Sequence, residues 1–258
     1  MSNFMTLDKG SLVLINYTAK IKDTNKIFET TLEEEAKKSD LYDPTRKYGP
    51  KLVSVGEGWV LKGLDEALEK ANSGDKFDVE ITPDKAFGER IPSKVRMIAL
   101  RKLGDRADDV KIGDEIEMDQ RTGIIRFVGS GRVQIDFNHR FAGRTLAYQV
   151  EIIKKLQESG EKVLSLIKRR IPLDDDKIKF FLDGSNLTVE LPEESFLVEG
   201  LQIIKRGAAN DIFKYVDGIS NVKFVESYAA TEMVQASKDA GKHEEVQKTE
   251  ILSNNPEK

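Results

Sequence analysis

The chain has 258 residues, 41 basic and 45 acidic side chains, a net charge of −4 and no cysteine. The missing cysteine excludes disulfides, thiolate zinc sites and cysteine nucleophiles, and the acidic balance argues against nucleic acid as the main partner. No run approaches 18 apolar residues and the first residues do not resemble a signal peptide, so we expect no membrane span and a cytoplasmic location.

The first ninety residues predict a sheet packed on one helix. Apolar alternation predicts strands at 11–22, 51–56 and 76–82. Ile27 and Phe28 resume the apolar pattern after a polar turn. Leucines at helical spacing predict a helix over 60–71. Residues 31–50 are polar and contain two prolines, which predicts a long loop with one helical turn. Long loops inside compact domains are often functional.

A block of different composition follows and indicates a second module inserted into the first. Short strands are predicted at 95–100, 114–118, 124–128 and 132–137. The segment Gly-Ser-Gly at 129–131 is typical of a hairpin turn. A last strand at 150–153 then closes the first module.

The remaining third predicts a separate α+β unit. Its order is a helix at 156–171, strands at 178–182 and 187–191, a helix at 193–209 and a strand at 222–225. We expect the second helix to turn Phe196, Leu197, Leu201 and Ile204 inward. Residues 229–258 are polar and predict a flexible tail.

Apolar residues from separate predicted strands and loops of the first module can form one pocket. They are Tyr17, Phe28, Val60, Leu61, Phe87 and Tyr148, with Trp59 beside them. An aromatic pocket of this kind accepts a compact apolar ring. It contains no nucleophile–base pair, and the only histidines are His139 and His243, so we expect neither metal nor cofactor. His139 is interpreted as a hydrogen-bonding residue at the junction of the modules that can border the pocket.

The chain resembles FKBP-type peptidyl-prolyl isomerases. The resemblance rests on VLINYT at 13–18, FE at 28–29, GEGWVLKGL at 56–64, AFG at 86–88 and TLAYQVE at 145–151. The insert resembles the insert-in-flap (IF) chaperone domain of SlyD-like proteins, through KIGDEI at 111–116 and VQIDFNHRFAG at 133–143. Archaeal long-type members are also similar in carrying a loop like 31–50 and an added C-terminal domain.

The resemblance implies an α+β fold with an FKBP-like antiparallel half-barrel wrapped on one helix, a small β-rich insert and a C-terminal α+β domain. The implied boundaries are 1–89 and 139–155 for the catalytic domain, 90–138 for the IF domain, 156–228 for the C-terminal domain and 229–258 for the tail.

The resemblance also implies peptidyl-prolyl cis-trans isomerase activity (EC 5.2.1.8) on proline-containing unfolded or nascent polypeptides. Tyr17 and the backbone N–H of Leu61 would bind substrate carbonyl groups, and Glu29 would lie at the rim. The proline pocket would be lined by Phe28, Val60, Leu64, Phe87 and Tyr148. Three of these positions depart from the common family pattern: Glu29 replaces Asp, Phe87 replaces Tyr and Leu64 replaces Trp. The departures bear on rate and on binding of macrolide inhibitors.

The insert would hold the unfolded client on apolar side chains. The candidates are Met97, Ile98, Leu100, Met118, Ile124 and Phe127. A module of about 50 residues must use most of its apolar groups for its own core and leaves some at the surface. Two alternatives stay open: the insert only stabilises the protein, or the chain is a holdase with little turnover. A homodimer through the C-terminal domain is a further possibility.

Overall fold

The structure is a computed structural model that describes residues 6–171 and 177–228. The chain divides into two compact units, residues 1–161 and 162–258. The predicted tail at 229–258 lies outside the described residues. Among the helices described, none is long and apolar enough to cross a membrane.

The described part of the first unit contains nine strands and two short α-helices, followed by the start of a third. In chain order they are β1 (Leu12–Ile21), β2 (Ile27–Thr30), α1 (Glu33–Lys38), β3 (Lys51–Ser54), α2 (Lys62–Leu68), β4 (Lys76–Ile81), β5 (Val95–Ala99), β6 (Glu115–Met118), β7 (Arg121–Gly129), β8 (Arg132–Asp136), β9 (Leu146–Lys155) and α3 (Ser159–Arg170).

The main sheet of this unit is antiparallel and wraps around α2. Its order is β2-β1-β9-β4, and β3 also pairs with β1. Alternate residues of β1 and β9 are buried against Leu64 and Leu68 of α2, which explains the period-two pattern of both strands. The half-barrel predicted from the sequence is confirmed. The last strand is longer than predicted, since it begins at Leu146 rather than Val150.

Helix α2 approaches β4 closely because Gly63 has no side chain. A Cβ atom at Gly63 would lie 2.5 Å from Cγ2 of Ile81, well inside van der Waals contact. Ile81 and Leu64 are both 1 % exposed, so this contact belongs to the packed centre of the unit.

The second sheet is formed by the segment that connects β4 to β9. Its order is β5-β8-β7-β6, and all its pairs are antiparallel. It has a core of its own, formed by Ile116, Ile125, Val133 and Ile135. A bulge between Ile125 and Phe127 shifts the register of β7.

The second unit contains β10 (Lys179–Asp183), β11 (Asn186–Leu191), α4 (Leu201–Tyr215) and β12 (Asn221–Glu226). Strand β11 lies in the centre, antiparallel to β10 and parallel to β12. Within this unit, Arg170 binds Asp211 of α4 through Nε at 2.6 Å and Nη2 at 3.1 Å. This α+β arrangement agrees with the predicted order of elements.

The prediction of one continuous helix at 193–209 is wrong. Residues Glu193–Leu197 form a 3-10 helix, and α4 begins only at Leu201 and continues to Tyr215. Gly200 separates them with a φ of 71°, a left-handed conformation that interrupts a right-handed helix. Leu197 is therefore 92 % exposed instead of inward. Phe196 packs on Tyr228, with ring centroids 4.9 Å apart.

Candidate active site

Two tyrosines on neighbouring strands form one wall of the candidate site. Tyr17 on β1 pairs with Val150 on β9, and Tyr148 pairs with Ala19, so the tyrosines are diagonal neighbours on one face of the sheet. Their ring centroids lie 5.6 Å apart, and both side chains are buried. The strand register thus brings together two residues that are 131 positions apart in the sequence.

Three phenylalanines continue this wall. Phe28 on β2 lies 4.4 Å from Phe141 and 6.3 Å from Tyr148, measured between ring centroids. Phe87 lies 5.5 Å from Phe141, again between ring centroids. Phe141 is buried, whereas Phe28 and Phe87 are half-buried. We call Tyr17, Phe28, Phe87, Phe141 and Tyr148 the aromatic cluster.

Backbone contacts hold the phenylalanine loops against each other. Gly88, which follows Phe87, donates its N–H to Pro83 at 2.7 Å and accepts the N–H of Gly143 at 2.9 Å. His139 stacks on Phe87, with centroids 4.1 Å apart and planes 15° apart. Its Nδ1 accepts the backbone N–H of Phe141 at 3.3 Å. Burial and the nearby charge of Arg140 lower the pKa of His139, which favours a neutral ring beside the cluster.

The loop before α2 forms another border. Asp65 accepts the N–H of Gly56 and of Gly58 through its two carboxylate oxygens, each at 2.8 Å, and so fixes the approach to Leu61. Val60 and Leu61 are half-buried and pack against the core that contains the buried Leu64. Trp59 also packs on this core. In the described part of the chain, no acceptor takes the Leu61 N–H.

A carboxylate lies at the edge of the cluster. The hydroxyl of Tyr17 donates to Oε1 of Glu29 at 2.5 Å, and Lys51 Nζ lies 3.2 Å from the same hydroxyl. The resemblance assigned the Tyr17 hydroxyl to a substrate carbonyl, but in this structure its proton is engaged by Glu29. Within residues 6–171 and 177–228, the hydroxyl of Tyr148 has no hydrogen-bond partner.

Both phenols stay protonated at neutral pH. Burial, the hydrogen bond to Glu29 and the charge of Glu29 raise the pKa of Tyr17 far above its ordinary value. Burial and the charge of Glu29 also raise the pKa of Tyr148. The site therefore offers two neutral donors, the Tyr148 O–H and the Leu61 N–H, over an apolar aromatic surface. This arrangement suits an apolar ring flanked by carbonyl groups.

All eight residues predicted for the pocket belong to the same core or its border: Tyr17, Phe28, Glu29, Val60, Leu61, Leu64, Phe87 and Tyr148. Sequence reasoning missed Phe141, which contacts both Phe28 and Phe87. It treated His139 only as a residue that can border the pocket. The sequence feature that could have indicated both residues is the segment 133–143, because it returns the chain from the insert to β9.

The six residues predicted for the client surface separate onto two faces of the inserted sheet. Ile98, Leu100 and Met118 pack against the core of the insert. The other three lie on the opposite face. Met97 and Phe127 both pair with Gln134 and are 48 % and 45 % exposed. Ile124 pairs with Asp136 in the adjacent row and is half-buried. We call Met97, Ile124 and Phe127 the outer face.

Two open cavities do not coincide with the aromatic cluster. One, of about 490 Å³, lies over the polar row of Asn16, Lys76 and Glu151 on the main sheet and shares only Tyr17 with the cluster. The other, of about 570 Å³, lies in the second unit beside Pro192 and Leu197. Neither cavity combines several aromatic rings with the free donors of Leu61 and Tyr148. Among the described residues, no group of three or more His, Asp or Glu side chains is placed to hold a metal ion.

The comparisons with known proteins agree on one family. The family model for FKBP-type peptidyl-prolyl cis-trans isomerases matches residues 5–153. A second family model, described as FKBP26_C-terminal, matches residues 159–229.

Three relatives carry related names. The short-type peptidyl-prolyl cis-trans isomerase of Methanocaldococcus jannaschii is 29% identical over 146 residues, covering 57% of this chain and 92% of its own length. A probable FKBP-type 16 kDa peptidyl-prolyl cis-trans isomerase of Pseudomonas fluorescens is 33% identical over 119 residues, covering 44% and 78%. The FKBP-type peptidyl-prolyl cis-trans isomerase SlyD of Pasteurella multocida is 29% identical over 112 residues, covering 42% and 56%.

Proposed function

The chain belongs to the FKBP-type peptidyl-prolyl cis-trans isomerase family, and on this premise we propose that the aromatic cluster is its catalytic site. The observation that carries the proposal is the meeting of rings from separate segments at Phe141, with half-buried Phe28 and Phe87 on either side. A prolyl ring of a polypeptide substrate would pack on these rings, over the buried Leu64.

The proposed mechanism is non-covalent. Rotation about a peptide bond is opposed by amide resonance, with a barrier of ~18–20 kcal/mol. The planar amide is more charge-separated than the twisted one, so an apolar surface that excludes water favours the twisted form. The Tyr148 O–H and the Leu61 N–H would hold carbonyl oxygens while the bond turns. Tyr17 and Glu29 would fix the neighbouring wall through their hydrogen bond.

A protease-independent assay tests this proposal. We expect the purified chain to accelerate cis-trans exchange in an Ala-Leu-Pro-Phe tetrapeptide, measured by exchange NMR. A folded preparation that leaves the exchange rate at the uncatalysed value contradicts the proposed catalytic site.

We also propose that the insert, residues 90–138, holds the unfolded client while residues 1–89 and 139–155 act on its proline. The outer face supports this, because Met97 and Phe127 expose adaptable apolar area on a sheet whose opposite face is already used by the core of the insert. Local capture would raise the effective concentration of X-Pro bonds at the cluster.

A paired substitution separates this role from simple stabilisation. Met97→Gln combined with Phe127→Gln should weaken suppression of aggregation of an unfolded protein without unfolding the insert. Leu197→Gln is a matched control, because Leu197 is exposed but lies in the second unit. Equal suppression by both variants would refute the assigned surface.

The alternative function is a holdase whose catalytic site turns over slowly. The favouring observations are the departures from the family pattern at Glu29 and Phe87. This alternative predicts strong aggregation suppression by a chain whose tetrapeptide exchange rate is within about twofold of background, an outcome that the two assays distinguish.

We also propose that the chain forms a homodimer through its second unit. Phe181, on β10 at the end of the three-stranded sheet, is 68 % exposed, and an exposed apolar edge strand favours pairing with another chain. Light scattering at micromolar concentration tests this, and a monomer refutes it. Phe181→Lys should shift a dimer toward monomer.

We propose that the protein is located in the cytoplasm, which cell fractionation tests.

A further inference from the structure

The loop between α1 and β3 is ordered by a stack of two tyrosine rings, each of which has a cation over it. Tyr42 and Tyr48 stack with centroids 5.8 Å apart and planes 14° apart. Lys37 Nζ lies 5.2 Å from the Tyr42 ring centroid, and the guanidinium carbon of Arg46 lies 5.5 Å from that of Tyr48. Such contacts stabilise a cation over a ring face. The stack therefore gives Arg46 a preferred position.

Hydrogen bonds fix the same loop from within. Asp43 accepts the backbone N–H of Thr45 at 2.8 Å and its hydroxyl at 2.6 Å. The hydroxyl of Tyr48 accepts the N–H of Asp43 at 3.0 Å and donates to the carbonyl of Leu41 at 3.2 Å. The loop has little regular structure, yet its turn is built by specific side chains.

This order brings Arg46 to the edge of the aromatic cluster. Arg46 Nη2 and Lys51 Nζ each lie 3.9 Å from Oε1 of Glu29. That oxygen already accepts the Tyr17 hydroxyl. In the part of the chain that the structure describes, the guanidinium of Arg46 makes no hydrogen bond. The side chains of Arg46 and Lys51 are 45 % and 47 % exposed. Two accessible cations thus face one carboxylate.

We propose that Arg46 and Lys51 form a subsite for a carboxylate side chain of the substrate, an Asp or Glu close in sequence to the isomerised proline. The inference rests on the proposed catalytic site. Glu29 follows Phe28 of the cluster directly, and an extended residue spans only about 3.3–3.6 Å. A carboxylate at the subsite therefore belongs to a residue next to the prolyl bond or one position away.

The chemistry of the two cations matches this ligand. A guanidinium presents paired N–H donors that fit a carboxylate, and the ammonium of Lys51 adds a second charge. The chain as a whole carries a net charge of −4, so the positive edge is a local feature. On another side of the cluster, the guanidinium carbon of Arg140 lies 4.6 Å from the Phe141 ring centroid. Substrate charge is thus met by cations at two borders.

A set of peptides measures the preference directly. We compare Ala-Glu-Pro-Phe with Ala-Gln-Pro-Phe and Ala-Lys-Pro-Phe, and then move the Glu one position to either side of the X-Pro pair. The expected kcat/KM for the best-placed Glu peptide exceeds that of its Gln partner by about threefold to tenfold at low salt. The ratio should fall toward one in 0.5 M salt, because exposed charges are screened.

Variants assign the preference to Arg46. Arg46→Gln should reduce the Glu-to-Gln ratio to less than half of the wild-type value, and Arg46→Glu should invert the preference toward the Lys peptide. Arg46→Lys should keep part of the ratio because the charge remains. Arg101→Gln removes the same charge from an exposed position in the insert, and should leave the ratio at the wild-type value.

The outcomes separate this inference from the proposed function. A wild-type chain that isomerises the Glu and Gln peptides equally at every position, at low salt, overturns the subsite while the isomerase stands. A ratio that Arg46→Gln leaves unchanged also overturns it. A chain that accelerates none of the peptides contradicts the proposed catalytic site itself.

Discussion

At the scale of single residues, the two tyrosines of the cluster differ in what their hydroxyls do. The Tyr17 hydroxyl is engaged by Glu29, whereas the Tyr148 hydroxyl has no partner in the described part of the chain. Burial raises the pKa of both tyrosine hydroxyls, so neither ionises near neutral pH. Tyr148 is therefore the better placed donor to a substrate carbonyl.

We predict that Tyr148→Phe lowers kcat/KM for a tetrapeptide by about fivefold to tenfold, the value of one hydrogen bond. Tyr17→Phe should lower it less, and should instead decrease the free energy of unfolding because Glu29 loses its donor. Exchange NMR and urea denaturation measure the two effects. The reverse order of activities would assign the substrate contact to Tyr17.

The resemblance supplied the strand positions of Phe28 and Tyr148, whose rings lie next to each other in the structure. Sequence reasoning missed Phe141 because the contact depends on how the chain re-enters the first module after the insert. Nothing in the local pattern of 138–143 fixes that direction. His139 was placed near the junction, but its stacking on Phe87 depends on the same re-entry.

At the scale of elements, the junction of the two sheets depends on a buried carboxylate. Asp136 at the end of β8 accepts the N–H of Asn138 at 3.0 Å and its Nδ2 at 2.7 Å, and it binds Nη2 of Arg90 at 2.7 Å. Asn138 in turn bonds both backbone groups of Ile91, at 2.9 and 3.0 Å. The entry and exit of the insert are thereby tied together.

This junction predicts a pH dependence. Burial alone would raise the pKa of Asp136, but the hydrogen bonds from Asn138 and the charges of Arg90 and Arg126 hold that pKa below its ordinary value. A lowered folded-state pKa contributes stability above the unfolded value of about 3.9, which is lost as pH falls through the folded value.

Asp136→Asn should therefore lower the free energy of unfolding at pH 7 by about 1.5–3 kcal/mol. The gap from wild type should begin to narrow near pH 4, where the unfolded carboxyl takes up a proton, and should close only below the lowered folded-state pKa. Urea titrations in steps from pH 7 down to about pH 2 measure it. Asp119→Asn is the control, since Asp119 lies in the turn between β6 and β7, is exposed, and makes only a long ion pair of 3.8 Å with Arg96. A gap independent of pH would contradict the account.

Helix α2 offers a second element-scale prediction. Gly63→Ala should destabilise the first unit by about 1–3 kcal/mol, because the new Cβ would meet Ile81. Combining it with Ile81→Ala removes the clash, so the double variant should lose less than the sum of the two single changes. Additive losses in a urea denaturation series would show that the helix moves to accept the methyl group.

Element boundaries were predictable where one face of the element is buried. Strands β1 and β4 and helix α2 follow their apolar periods closely. The prediction of a helix at 193–209 was wrong, because the apolar residues of 196–204 fit a helical period while the left-handed conformation of Gly200 interrupts the helix. A helical period in the sequence indicates which residues are buried. Whether the helix is continuous is decided by the backbone, here by the positive φ of Gly200.

At the scale of the molecule, the insert leaves the segment that carries Phe87 directly beside the cluster. Phe87 precedes Arg90 by three residues, and His139 follows Asn138. A client held on the outer face would therefore be tethered to the same segments that carry Phe87 and Phe141. With the domain boundaries proposed from the sequence, capture and isomerisation would share one junction.

Removing residues 92–137 tests the division of labour, because Ile91 and Asn138 are hydrogen-bonded neighbours that a short Gly linker can join. We predict that the shortened chain keeps at least a third of the tetrapeptide activity but loses more than tenfold in accelerating a proline-limited refolding reaction. Parallel loss in both assays would show that the insert only supports the fold of the site.

The central claim is that the rings around Phe141 catalyse rotation of the prolyl bond, and one comparison tests it most directly. Tetrapeptide exchange is measured by NMR for Phe141→Ala and for Phe127→Ala, the same change on the outer face of the insert, with folding of both verified by their spectra. The account predicts a loss of about 10- to 100-fold for Phe141→Ala, roughly 1.4–2.7 kcal/mol of transition-state stabilisation, and wild-type rates for Phe127→Ala. A folded Phe141→Ala chain with the wild-type rate would contradict it.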